Sequence, residues 1–216
     1  RGDNVGALLL PIGTLQPGQS KRFRVLLTQQ DGTRPESLAR AKTALAAFET
    51  DAQTDAALDS MRKYWDEYLS KLQVKTPSAA LDSMVNVHNP RQCFMTKNWS
   101  RDLSLYQLGF GGRGIGFRDS SQDVMGVLSS VPGEAKELLE KLLSVQKADG
   151  SAMHQFYAST MVANEGDSRE HPDRPDYYGD DQLWIVLAVC AYLKETGDLA
   201  FLRQELPFYD KRREPA

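Results

Sequence analysis

The feature that most constrains this chain is the hydrophobic period of its last two thirds. After Thr76-Pro77 the apolar residues recur at helical spacing, and glycine, proline and Asp-Gly steps break the pattern into segments. Helices are predicted at about 79–87, 93–105, 122–130, 133–147, 181–195 and 199–205. In 133–147, Ala135, Leu138, Leu139, Leu142 and Val145 form one apolar face against Glu134, Lys136, Glu137 and Lys141. Gln182 to Leu193 is apolar almost all round, which predicts burial on more than one side. Alternating amphipathic and buried helices suit two concentric helical layers, so the fold class is mainly α, with the first part of an α/α arrangement.

Upstream the period differs. Val5–Leu10 and Lys21–Thr28 are β-compatible runs; in the second, Phe23, Val25 and Leu27 alternate with Arg22 and Arg24. Gln16-Pro-Gly-Gln-Ser20 supplies turn residues between them, which predicts an antiparallel pair. Two strands do not stand alone, so they are expected to edge a larger β domain. From Arg34 to Lys75 the helical period returns, with Leu38, Ala41, Leu45 and Phe48, and then Leu58, Met61, Trp65, Tyr68 and Leu72. The expected organisation is therefore a β edge over 1–31, a helical linker over 32–76 and a helical domain over 77–216. Arg1 is not a methionine, and Lys211-Arg-Arg-Glu-Pro-Ala216 follows a helical stretch without a closing element, so the chain reads as an internal piece.

The bulk properties exclude several classes. A net charge of -3 with mixed signs along 216 residues predicts no nucleic-acid or anionic-membrane partner. No apolar run has membrane-spanning length and no signal peptide is present, which makes a cytoplasmic protein the default. Cys93 and Cys190 lie in apolar segments and are expected to be buried thiols. His88, His154 and His171 lack metal-ligand spacing, so no metal site is expected.

Four stretches do not read as plain packing: Thr96 to Arg101, Gly109 to Asp123, Asp149-Gly-Ser-Ala-Met-His-Gln155, and Tyr177-Tyr-Gly-Asp-Asp-Gln-Leu-Trp184. Gly109-Phe-Gly111-Gly-Arg-Gly114 matches the bare G-x-G-x-x-G pattern, but a dinucleotide site needs a strand before it and a helix opening from it inside a strand–helix–strand unit. Helical sequence precedes it here. The glycines allow close backbone approach to a ligand, Arg113 and Arg118 are planar charged forks suited to sugar hydroxyls or phosphate, and Asp119 and Asp123 add acceptors. Composition supports two readings equally: a polar ligand wall, or a connector whose arginines pair with neighbouring carboxylates. Asp180-Asp181 before Leu183-Trp184 reads most simply as a helix N-cap pair.

Five ordered motifs carry a resemblance. Asn98-Trp-Ser-Arg101, Gly112 to Asp123, Asp149 to Gln155, Asp180-Asp-Gln-Leu-Trp184 and Tyr192-Leu-Lys-Glu-Thr-Gly-Asp198 resemble, in that order, the cellobiose phosphorylase family (glycoside hydrolase family 94). The resemblance is close over Val87 to about Pro207 and looser upstream. It implies an N-terminal β-sandwich, a helical linker and an (α/α)6 barrel, and a cytoplasmic enzyme that splits a β-glucoside with inorganic phosphate to give α-glucose 1-phosphate with inversion. Phosphate is a substrate and no cofactor is implied; the partners are a β-glucosyl disaccharide or oligosaccharide and phosphate, and the resemblance is compatible with a homodimeric parent.

By the same resemblance, Arg113 and Asp119 hold the glucosyl unit and Arg101 lies near the sugar–phosphate junction, although its spacing to the glycine loop is one residue longer here. Arg118 contacts sugar or braces Asp119, and Gln122, Asp123 and Gln155 support these groups. The family's general acid lies in a Trp-Asn-Asp segment that does not occur in this sequence, so no catalytic residue is assigned and the acid is expected beyond Ala216. The chain alone is expected to be inactive. The phrasing of Asn98 to Arg101 and of Ser144 to Gln155 resembles cellobionic acid phosphorylases; a cellobiose or cellodextrin enzyme is the neighbouring alternative. Two other readings are a non-catalytic carbohydrate-binding or scaffold protein and the phosphorylase-like domain of a cyclic β-glucan synthase.

Overall fold

The computed structural model describes residues 6–28, 30, 33–100, 115–157, 160–164 and 178–209. The chain divides into two units, Arg1–Arg62 and Lys63–Ala216.

In the first unit, residues 6–27 are exposed and pair into no strand, although the expected turn forms at Pro17–Gly18, where the Gln19 N–H donates to the Gln16 carbonyl at 2.9 Å. The antiparallel pair expected there is not formed by the described residues. The physical reason lies in burial: Leu8, Leu9, Leu10, Val25 and Leu27 all face solvent, and a two-stranded ribbon without a packed face does not repay its ordering entropy. Arginines of the alternating run instead reach helix α2 (Asp51–Leu69): Arg22 donates twice to Asp55 at 3.1 Å, and Arg24 pairs with Asp51 and the Glu49 carbonyl. Helix α1 (Arg34–Ala46) opens with Pro35 in its first turn, where the missing N–H costs nothing, and the Glu36 carboxylate accepts from the Thr33 N–H at 3.1 Å and the Thr33 hydroxyl at 2.8 Å.

In the second unit, Tyr64, Trp65 and Tyr68 at the end of α2 pack edge-on around Phe94, and the Tyr68 hydroxyl donates to the Pro90 carbonyl at 3.1 Å. The Asn86 side chain clamps Val74 through both its amide groups at 2.8 Å, which ties the turn after α2 to the next helical stretch. That stretch begins with α3 (Ala79–Ser83), widens to a π turn over Met84–His88, continues as α4 (Asn89–Met95) and widens again over Thr96–Ser100. The first widening precedes Pro90, which lacks an N–H and whose ring crowds the carbonyl four residues back. The predicted break between 87 and 93 is thus a change of helical pitch.

Helix α5 (Phe117–Val127) begins five residues before the predicted start at Gln122, and α6 (Pro132–Ser144) and α7 (Asp181–Thr196) follow. All three pack on one another around Phe117, Val124, Leu139, Leu142, Ile185 and Ala188. Gly126 lets α4 come close: a β-carbon there would stand 3.2 Å from Cys93 Sγ. A small antiparallel sheet closes one end, with β1 (Ile115–Gly116), β2 (Gln155–Phe156) and β3 (Ala163–Asn164) in that order. Its register pairs Ile115 with Phe156 and Gly116 with Gln155.

Two burial expectations need correction. Helix α7 is buried on one face only: Asp181, Ile185, Ala188 and Tyr192 point inward, while Leu183, Val186 and Leu187 are more than half exposed. Cys190 shares that outer face and is exposed, and Cys93 is half-buried. Helical geometry puts these two sets on opposite sides, and no described element covers the second. No helix among the described residues is long and apolar enough to cross a membrane.

Candidate sugar-binding site

The polar cluster is assembled by the starts of two helices and one short strand. Gly116 precedes α5 with extended backbone (φ -68°, ψ 132°), so the chain passes from β1 into the helix within one residue. The first turn of α5 then presents Arg118 and Asp119. A β-carbon on Gly116 would lie 2.8 Å from Asp119 Oδ2, so the glycine provides the space into which that carboxylate folds. The Phe117 N–H donates to the His154 carbonyl at 2.9 Å, which ties the same turn to the start of β2.

Helix α7 supplies the facing wall. Arg118 Nη1 donates to Asp180 Oδ2 at 3.0 Å, and the Trp184 indole N–H reaches the same oxygen at 3.3 Å. Asp180 is the N-cap residue by position and Asp181 opens the helix, as expected, but Asp180 makes no side-chain cap bond, because its carboxylate is drawn across to α5. Asp181 turns inward instead. It is 1% exposed and its Oδ2 lies 2.8 Å from His154 Nδ1. The His154 ring stacks on Tyr178, with centroids 3.9 Å apart and planes 20° off parallel.

The electrostatics follow from these contacts. The Arg118 guanidinium, helped by the Trp184 N–H, holds the Asp180 carboxyl below the usual carboxylate range, and Asp180 in turn raises the Arg118 pKa. The network is not closed: Asp181 Oδ1, Ser120 Oγ and Gln182 Oε1 are buried without a hydrogen-bond partner among the described residues. Buried polar atoms of this kind are uncommon in native proteins and mark places where water or ligand completes the set.

Of the residues singled out by sequence, Arg118 and Asp119 stand side by side on α5, and Arg118 bonds to Asp180 on α7. Gln155 lies in β2 opposite Gly116, and Gln122 and Asp123 lie one turn further along α5. Arg101 and Arg113, with the glycine run 109–114, fall outside the described residues. In the stretch before Arg101, the Lys97 ammonium meets Glu134 of α6 at 2.7 Å and Asn98 Oδ1 at 3.0 Å. Sequence reasoning missed His154, Tyr178 and Asp181 as one unit, and no local pattern signals it, because 27 residues separate His154 from Asp181. The dinucleotide pattern finds no parallel strand–helix–strand unit; the sheet is antiparallel throughout its described part. Among the described residues no group of His, Cys, Asp and Glu is placed to hold a metal ion.

Comparison with known families decides the lineage. Residues 64–215 match the model of the glycosyl hydrolase 94 superfamily, catalytic domain. The chain belongs to this superfamily. Its helices α3–α7 are accordingly a portion of the (α/α)6 barrel that the superfamily's catalytic domain adopts. Among curated relatives, an N,N'-diacetylchitobiose phosphorylase of Vibrio furnissii is 33% identical over 211 residues, covering 91% of this chain and 25% of the relative. A solabiose phosphorylase of Paenibacillus borealis is 30% identical over 200 residues, 92% of this chain and 22% of the relative. A cyclic beta-(1,2)-glucan synthase of Rhizobium meliloti (strain 1021) is 25% identical over 207 residues, 96% of this chain and 7% of that protein. The chain thus spans about a quarter or less of the length of these relatives. The superfamily's catalytic-domain match includes every residue of the polar cluster described above.

Proposed function

We propose that this chain forms part of an inverting glycoside phosphorylase and supplies a portion of its sugar-binding wall. In the reaction a phosphate oxygen attacks the anomeric carbon of a β-linked disaccharide, the glycosidic C–O bond breaks, and a general acid protonates the departing oxygen. The products are an α-glycosyl 1-phosphate and the free acceptor sugar. Phosphate takes the place of the activated water of an inverting hydrolase, so no general base and no cofactor are required.

The observation that carries this reading is the convergence of three separate motif stretches on one polar cluster in a chain of this superfamily. Arg118 and Asp119 on α5, Gln155 on β2 and Asp180 on α7 come from segments that are far apart in sequence. Asp119 accepts hydrogen bonds from sugar hydroxyls, and Arg113 and Arg101 complete the wall toward the glycosyl unit and the phosphate. The organisation proposed for the whole is a β-sandwich edge over 1–31, a linker over 32–76 and barrel from 77 onward, in a cytoplasmic, homodimeric parent. No Trp-Asn-Asp segment occurs in the 216 residues, so the general acid is assigned to chain beyond them. Removing such an acid costs about 10²–10⁴-fold in rate, which makes the isolated chain inactive.

The donor is a β-linked disaccharide; cellobionic acid is the preferred candidate, with cellobiose, N,N'-diacetylchitobiose and solabiose as the panel to compare. A second reading, the phosphorylase-like domain of a cyclic β-glucan synthase, is favoured by the match covering 96% of this chain. Phosphorus NMR on the full reading frame, incubated with phosphate and each donor, tests the proposal. A glycosyl 1-phosphate resonance with one donor is the expected result; its absence with all four, from a folded protein, overturns the reading. A very long parent frame carrying membrane spans selects the second.

A further inference from the structure

We propose that His154 is a sugar-contacting residue of this polar cluster, with buried Asp181 as the positioning carboxylate that fixes its ring. The inference deepens the proposed binding role and rests on it only for the class of ligand, a pyranose.

His154 occupies the junction of the cluster. Its carbonyl accepts from the Phe117 N–H at the start of α5, and its side chain reaches Asp181 at the start of α7. An ionised carboxylate only accepts, so the 2.8 Å contact assigns the Nδ1 proton to the bond with Asp181 and leaves Nε2 as the ring's second polar atom. Nε2 has no hydrogen-bond partner among the described residues, and the side chain as a whole is 27% accessible. Stacking on Tyr178 removes the remaining rotational freedom.

A purely structural pin does not need this chemistry. Joining two helix starts takes one neutral hydrogen bond, whereas a carboxylate that is 1% exposed, with one oxygen unpartnered among the described residues, carries a desolvation cost. A bond from one ring nitrogen to a carboxylate fixes the tautomer and the orientation of the ring, and with it the direction in which the other nitrogen is presented. Arg118 and Asp180 bond to each other across the same two helix starts that His154 joins, and they bring polar groups of both signs to this end of the helices.

The test is an equilibrium titration of the full-length protein with D-glucose, D-galactose and N-acetyl-D-glucosamine, followed by ligand-observed NMR. His154→Asn keeps an amide N–H where Nδ1 stood, so it retains a bond to Asp181 while deleting the Nε2 edge. The expected result is an unchanged melting temperature and a roughly tenfold loss of affinity for the pyranose that the wild type binds, the scale of one lost hydrogen bond to a ligand. His154→Gln, which restores a polar group at the reach of Nε2, recovers part of that affinity. Wild-type affinity in a folded H154N protein overturns the inference.

A second measurement needs no substitution. In protein labelled with ¹⁵N-histidine, the Nε2 resonance of His154 shifts on adding the pyranose; an unmoved resonance at saturation also overturns the inference. Because binding is read without turnover, the two proposals separate. A protein that binds sugar through His154 but yields no glycosyl phosphate retains this inference and loses the phosphorylase reading. One that yields glycosyl phosphate with H154N affinity unchanged does the reverse. A protein that binds no pyranose loses both.

Discussion

At the scale of the residue, the arrangement of charge around Arg118 decides what the cluster can do. Arg118 is committed to Asp180, so of the two readings its composition allowed, pairing with a neighbouring carboxylate is the one the described residues show for it. The Asp180 carboxyl is held low by Arg118 first and Trp184 second. Its folded-state pKa therefore lies below the unfolded value. The stability contributed by the pair is present above the unfolded value and is lost as pH falls through the folded one. With both side chains nearly half exposed, solvent screens the interaction and the stability at stake is small, so the titration itself is the informative readout. Carbon-detected NMR of Asp180 is expected to show a midpoint below that of an ordinary aspartate, and Arg118→Ala is expected to move it up. An unmoved midpoint would show that the Trp184 N–H and the helix start alone hold it down.

At the scale of the element, α7 has two faces of similar composition and opposite environment. Ile185 is 2% exposed against α5 and α6, whereas Leu187 is 54% exposed. Ile185→Ala is expected to cost about 2–5 kcal/mol, the range for deleting a buried branched side chain. Leu187→Ala is expected to change stability by less than about 0.5 kcal/mol, as for surface substitutions without a special role. Urea unfolding of both variants checks the contrast, and equal losses would mean that the outer face is covered in solution. The end of α7 follows its local sequence closely. Gly197 takes φ +69° as the left-handed C-cap, its N–H donates to the Leu193 carbonyl at 2.9 Å, and Asp198 then caps the 3-10 turn Leu199–Arg203 through the Phe201 N–H at 3.3 Å. Lys136 of α6 and the Tyr192 hydroxyl both bond to Asp198 and hold its carboxyl low, which locks the α7 terminus to α6.

At the scale of the whole molecule, the exposed apolar residues set the behaviour of the isolated chain. Leu183, Val186 and Leu187 on α7, Leu199 and Leu202 beyond it, and Leu8 to Leu10 near the start all face solvent. Exposed apolar groups in this number drive association, because each contact between copies removes apolar area from water. The 216-residue chain is expected to self-associate at micromolar concentration, with a light-scattering mass above that of the monomer. Leu183→Glu combined with Leu187→Glu is expected to reduce that mass without lowering the melting temperature. A monodisperse monomer with wild-type sequence would contradict the prediction.

Helical content, the starts of α6 and α7 and the end of α7 were legible to within a residue from period and composition alone. Each of these depends on local rules: apolar spacing, proline at a helix start, glycine at a helix end. Three things were decided only by the tertiary structure. Residues 6–28 have a strand pattern, but strands need partners with a buried face, which no local sequence supplies. The carboxylates of Asp180 and Asp181 read as capping groups until α5 offered Arg118 to one and the chain before β2 offered His154 to the other, since a carboxylate goes to its best charged or hydrogen-bonding partner wherever the chain brings it. Helix α7 is apolar all round, and only its neighbours determine which side is core. Sequence specifies what each segment can bury or bond; which of those possibilities is used depends on contacts between residues distant along the chain.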